Sequence, residues 1–173
     1  AGLHYNVDLA STLVELAGGE VPKAWDGISF AETLRCGRDC GREFLVLSHG
    51  AWSCQRSLRW DSCLFIRTYH TGHKNFPSHM LFDLKDDPHE TRNLARERPE
   101  VVQRALATLE AWVTDQLRTS GQPDPLLGVI AEGGPLHARD ARIGPLLDRL
   151  RQTGRAHHAD WLMKHGGKPR DEG

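Results

Sequence analysis

The sequence lacks any apolar run approaching the roughly 20 residues of a membrane-spanning helix, so no helical span is expected. It lacks an excess of charge of either sign: 22 Lys and Arg stand against 23 Asp and Glu, a net charge of -1. Nothing global therefore draws the chain to nucleic acid or to an anionic membrane, and neither is an expected partner. The stretch from His137 to Gly173 is mildly basic, eight Lys/Arg against five Asp/Glu, and reads as solvated helical surface. The four cysteines, Cys36, Cys40, Cys54 and Cys63, lack the two closely spaced pairs that a structural zinc site wants. They read as free thiols, which leans toward a reducing, cytoplasmic compartment. There is no signal peptide and no initiator Met. The pattern from Tyr5 to Gly18 looks like the middle of a domain, so a fragment is expected and the parent's address stays unknown.

What is present suffices for a core: 173 residues, 39% of them apolar. Asp8 is placed to cap a first helix, with Leu9, Leu13, Leu16 and Ala17 on one face and Gly18-Gly19 ending it. A loop with a helical turn near Ser29 to Leu34 follows. Strands are predicted at Glu43 to Ser48, Gln55 to Trp60, Cys63 to Tyr69 and Met80 to Leu84. Asp61-Ser62 is a two-residue hairpin loop, and Lys85-Asp86-Asp87-Pro88 stops the last strand, because Asp bonds its own backbone and Pro has no donor for a ladder. Pro99 opens a long helix to about Thr119, with Val102, Leu106, Leu109, Val113 and Leu117 as its stripe, widened by Ala105 and Trp112. Residues 121 to 136 read as a Gly/Pro-rich connection, and Pro145 to Gln152 and Arg155 to Lys164 as two short helices. The sum is an α+β fold: a small four-stranded antiparallel sheet covered by a long helix, with additional short helices. The expected division is 1–42, 43–120 and 121–173.

Four segments resemble a known family. "HYNVDLASTLVELAG" (4 to 18) is similar to the sulfatase helix Val-Asp-Leu-x-Pro-Thr-Leu-x-x-Leu-Ala-Gly, with Ser11 where the family usually has Pro. "WDGISF" (25 to 30) resembles the Asp-Gly-x-Ser segment after it. "CQRSLRWDSCLFIRTYH" (54 to 70) resembles a hairpin carrying Arg-Ser-Val-Arg. "MLFDLKDDPHETRNLA" (80 to 95) resembles Leu-Tyr-Asp-Leu-x-x-Asp-Pro-x-Glu-x-x-Asn-Leu. A looser likeness at 145 to 162 is to an extension of some bacterial members. The family is the formylglycine-dependent sulfatases of the alkaline phosphatase superfamily, and the likeness is to their C-terminal subdomain.

The resemblance implies a parent enzyme that hydrolyses sulfate esters, with calcium or a similar divalent cation and a formylglycine nucleophile made in a Cys/Ser-x-Pro/Ala-x-Arg motif. None of the four cysteines is followed by that motif, and the acidic ligands belong upstream of Ala1. No catalytic or metal-binding residue is therefore expected in this chain, and alone it should turn nothing over. Asp86-Asp87 reads as a turn rather than a metal pair. The expected partners are the missing N-terminal catalytic domain and a sulfated small molecule or glycan. Two loops, 48–55 and 70–76, carry groups suited to the rim of an anionic substrate's pocket: His49, Trp52, His70, His73 and Lys74. Each has a plainer reading, as strand-end cap, core aromatic or solvated side chain. The alternatives are the C-terminal part of a phosphodiesterase or phosphonate monoester hydrolase, or an independent protein- or glycan-binding module.

Overall fold

The computed structural model describes residues 2–39, 41–135 and 143–165. It divides into two units, residues 1–45 with 59–61, and residues 46–58 with 62–173.

The first unit carries helices α1 (Asn6–Leu16) and α2 (Ala31–Cys36). Tyr5, not Asp8, is the residue that caps α1, and Asp8 lies one turn inside the helix. The face of α1 that is buried is the polar one, Asp8, Ser11 and Thr12. Leu9, Leu13 and Leu16, the apolar face read from the sequence, are 51%, 57% and 44% exposed. The reason is the loop that runs beside the helix, whose backbone donors and acceptors need partners. Asp8 Oδ1 accepts the Ile28 N–H at 2.7 Å and Asp8 Oδ2 accepts the Tyr5 N–H at 2.7 Å. Thr12 Oγ1 accepts the Phe30 N–H at 3.0 Å, and Ser11 Oγ donates to Gly27 O at 2.9 Å. Gly27 comes so close to α1 that a Cβ would overlap Val7 O and Ser11 Oγ. Arg42 closes the arrangement, its Nε 3.1 Å from Asp8 Oδ2 and its Nη2 2.6 Å from Oδ1.

The four strands are β1 (Leu45–His49), β2 (Cys54–Trp60), β3 (Cys63–His70) and β4 (His79–Asp83). They form one antiparallel sheet in the order β1-β2-β3-β4. β3 and β4 pair from Cys63↔Asp83 to Arg67↔His79. Asp61, between β2 and β3, takes a φ of 41°, a conformation that Asp tolerates better than most residues in a two-residue hairpin loop.

In the second unit α3 (Pro99–Ser120) packs on β3, with Pro99 in its first turn and Gly121 in the left-handed conformation at its end. Phe65 and Leu109 are fully buried, and Leu58, Leu81, Phe82, Val102 and Ala105 join the core. Leu106, Trp112, Val113 and Leu117 are only half-buried, so the helix stripe is narrower than its apolar residues suggest.

The turn after β4 is built as its sequence implies. Asp87 Oδ2 accepts the Arg92 N–H at 2.8 Å and Asp87 Oδ1 accepts the Thr91 hydroxyl at 3.0 Å. Asn93 then pairs with the edge of β4, accepting the Leu81 N–H at 2.9 Å and donating to His79 O at 3.1 Å. An edge strand thereby has its open groups satisfied by the chain that leaves it.

The connection expected at 121–136 contains a further helix, α4 (Pro125–Ala131). Asp124 caps it, accepting the Leu126 N–H at 2.9 Å. The same carboxylate receives Arg56 of β2 as a two-pronged pair, at 2.8 and 2.5 Å. Helices α5 (Ile143–Gln152) and α6 (Ala156–His165) form a hairpin around Leu147, Ala159 and Leu162.

Candidate substrate-rim site

β1 ends at His49 and β2 begins at Cys54, so residues 50–53 make a short link, exposed at Ala51 and Trp52 and buried at Ser53. Within it His49 Nε2 accepts the Trp52 N–H at 3.3 Å. Gln55, at the start of β2, is held from both sides: its Nε2 donates to Thr68 Oγ1 at 3.1 Å, and its Oε1 accepts from Ser53 Oγ at 3.0 Å. The loop after β3 turns back with the Lys74 N–H on Thr71 O at 3.1 Å. His49, Trp52, Ser53, Gln55, Lys74 and Phe76 line one open concavity of about 480 Å³.

Three of the five residues singled out in the sequence, His49, Trp52 and Lys74, thus meet. His70 and His73 are not among the lining residues. His70 is half-buried, its Nδ1 accepting the Gly72 N–H at 3.0 Å. A Cβ on Gly134 would overlap the His70 imidazole, so the ring lies directly against that glycine. Burial, with the charge of His73 adding to it, moves the His70 pKa below its ordinary 6.5 and keeps the ring neutral at pH 7. Phe76 and Ser53 were not singled out. An aromatic two residues from Lys74 in a polar loop was the available signal for Phe76, and Ser53 offered none. Arg56 is spent on Asp124. Arg59 donates to the carbonyls of Trp60 and Asp61, and Arg67 pairs with Glu110 at 2.7 Å.

Cys36, Cys54 and Cys63 form no disulfide among the described residues, and Cys40 lies outside them. Cys54 is buried, and burial pushes its thiol up, away from nucleophilic form. Among the described residues no three His, Cys, Asp or Glu side chains converge on a point that could hold a cation. No helix among the described residues is long and apolar enough to cross a membrane.

The first unit has a different kind of surface. Val7, Leu9, Leu13, Trp25 and Ile28 are each 46 to 57% exposed. Val7, Ala10 and Trp25 line a hollow of about 310 Å³ with Ala24, Asp26 and Gly27. An apolar surface of this kind favours association. Leu9→Glu with Leu13→Glu is expected to reduce self-association and binding of a hydrophobic dye while shifting the unfolding midpoint little, because neither side chain contributes to a core. Sedimentation and dye titration check it, and unchanged dye binding would contradict it.

No family model matches the chain, and no curated protein matches it. Solved structures do. BT4656, solved in complex with its substrate D-glucosamine-2-N,6-O-disulfate, matches with a TM-score of 0.54 and 21% identity, over 70% of this chain and 25% of its own. The putative sulfatase yidJ from Bacteroides fragilis matches with a TM-score of 0.50 and 22% identity, over 67% of this chain and 25% of its own. Sulfatases are thus among the structures it matches, and the four-stranded antiparallel sheet with its helices matches the fold of their C-terminal subdomain. The chain spans about a quarter of the length of these neighbours.

Proposed function

We propose that this chain is the C-terminal part of an enzyme that hydrolyses sulfate esters. It packs on a catalytic domain and contributes His49, Trp52 and Lys74 to the rim of the substrate pocket. His70 sets the shape of the loop that carries Lys74, and His73 lies in the same loop outside the concavity's lining. The observation that carries the reading is the strand and turn from Met80 to Asn93, whose sulfatase-like sequence stands in a sulfatase-like fold. The exposed apolar face of α1 supports a catalytic domain of the same parent as its cover. Calcium and formylglycine, which the family resemblance implies, belong on that domain, where the cation would polarise the sulfate. This chain supplies neither ligands nor a nucleophile for them, and its part is to orient the substrate.

The test is turnover by the parent protein. The parent is expected to cleave an aryl sulfate in the presence of calcium, and the 173-residue chain alone to leave it intact. A parent that cleaves an aryl phosphodiester and ignores the sulfate would instead establish the phosphoester alternative. Clear turnover by the isolated chain would overturn the assignment of the chemistry to another part of the parent.

A further inference from the structure

The side chains around the concavity leave hydrogen-bond donors facing one aromatic wall. Because His49 Nε2 accepts the Trp52 N–H, the proton of the neutral imidazole sits on Nδ1. Gln55 is the amide of the lining, and both of its ends are engaged, with Thr68 and Ser53. The Ser53 hydroxyl is turned to Gln55. The remaining lining residues are His49, with an Nδ1–H to offer, the cationic Lys74 and the aromatic Trp52 and Phe76. Lys74 is the one full charge among these side chains, so the site is positive. Trp52 is 57% exposed, which leaves its indole surface accessible.

A ligand matched to this has one flat, C–H-rich face and an acceptor-only, negatively charged substituent. A pyranose ring carrying a sulfate or carboxylate group has both. We infer that the concavity takes a sugar ring against Trp52, with Lys74 and His49 Nδ1–H holding an acid group that stays on the sugar. The inference rests on the sulfatase reading for one point, that this acid group is not the ester being hydrolysed. It goes beyond that reading in requiring a substrate with at least two anionic groups. Binding itself needs no turnover, so it can be measured on this chain.

The probes are D-glucosamine-2-N,6-O-disulfate, D-glucuronate and neutral N-acetyl-D-glucosamine, each titrated into the full 173-residue chain and followed by amide NMR shifts. Both anionic sugars are expected to bind saturably, with shifts at residues 49–55 and 74–76, and the neutral sugar roughly tenfold more weakly. If only one anionic sugar binds, it identifies the acid group as sulfate or as carboxylate. Lys74→Met should weaken the anionic sugars roughly tenfold, and Trp52→Ala should weaken all three. Both side chains are exposed, so the variants should keep the wild-type amide pattern, and Lys23→Met serves as a charge-matched control with no effect. No binding at millimolar sugar, equal binding of neutral and anionic sugars, or an unaltered Lys74→Met variant would each overturn the inference. A parent that cleaves aryl sulfates beside a chain that ignores these sugars would overturn the inference alone. Sugar binding beside a parent inert toward sulfates would leave the concavity's ligand standing and remove the sulfatase reading.

Discussion

Asp124→Ala is expected to destabilise the second unit by about 3–5 kcal/mol, the usual cost of removing one partner from a buried ion pair. Arg56 is 7% exposed and its guanidinium meets both Asp124 oxygens, so the substitution strands a positive charge in the interior. It also deletes the cap of α4, worth about 1 kcal/mol by itself. The two residues are 68 apart in sequence, and no other pair among the described hydrogen bonds ties β2 to α4. Arg56 should hold Asp124 ionised: the pair with Arg56 lowers the Asp124 pKa below its ordinary 3.8, against the opposing effect of burial. The stability it contributes is therefore complete above that ordinary value and is lost as pH falls through the lower folded value. Asp124→Asn keeps a capping oxygen and should cost less than Asp124→Ala. Arg56→Lys should rescue little, because a single ammonium cannot match the fork. Replacing both residues with leucine should cost less than the sum of the single changes, since neither charge is then left alone. Urea titration followed by circular dichroism measures each. A loss under about 1 kcal/mol for Asp124→Ala would contradict the role given to the pair.

The strands and the long helix were legible because their signals are local. The alternation in β2, the β-formers of β3, the Pro99 start and the Gly121 stop lie within a few residues of what they control. Asp87 was legible for the same reason, as part of the turn that stops the strand, whereas the pairing of Asn93 with the edge of β4 was not. α4 was not, although Asp124-Pro125 is a cap followed by a first-turn proline. The surrounding Gly121, Pro123 and Gly128 made the segment read as a linker. The Arg56 partner was invisible at a separation of 68 residues. The apolar face of α1 was legible, but the burial of its polar face was not, for a more general reason. Periodicity reports which side of a helix is apolar, and not whether this chain supplies the cover. Here the chain covers the polar side, with partners for Asp8 that lie 20 and 34 residues away at Ile28 and Arg42. The site divided along the same line. His49, Trp52 and Lys74 sit in two loops at the ends of adjacent strands, and strand order alone brings such loops together. His70 looked equivalent in sequence. What separates it is Gly134, which reaches its ring from beyond α4.

Asp8→Asn is expected to cost the first unit on the order of 2 kcal/mol at neutral pH, and the cost should fade in acid. The carboxylate is fully buried and receives the Tyr5 and Ile28 N–H groups together with the Arg42 guanidinium. Burial by itself would raise its pKa. The hydrogen bond from Arg42 and those from Ile28 and Tyr5 outweigh that and hold it down to about 2, from an ordinary 3.8. A folded pKa below the unfolded one means that the unfolded chain binds the proton first. The stabilisation is complete above the ordinary value and is lost as pH falls through about 2. At about 1.36 kcal/mol per pKa unit, this displacement corresponds to the order of 2 kcal/mol. Asparagine retains one acceptor for a backbone N–H but offers no charge to Arg42, whose side chain is 22% exposed and can turn to water. That escape keeps the cost below that of stranding Arg56. Unfolding midpoints of wild type and Asp8→Asn should therefore differ clearly at pH 7 and converge as pH falls toward about 2. Parallel curves across that range would show that the Asp8–Arg42 pair does not govern the acid stability of α1 and the loop it holds.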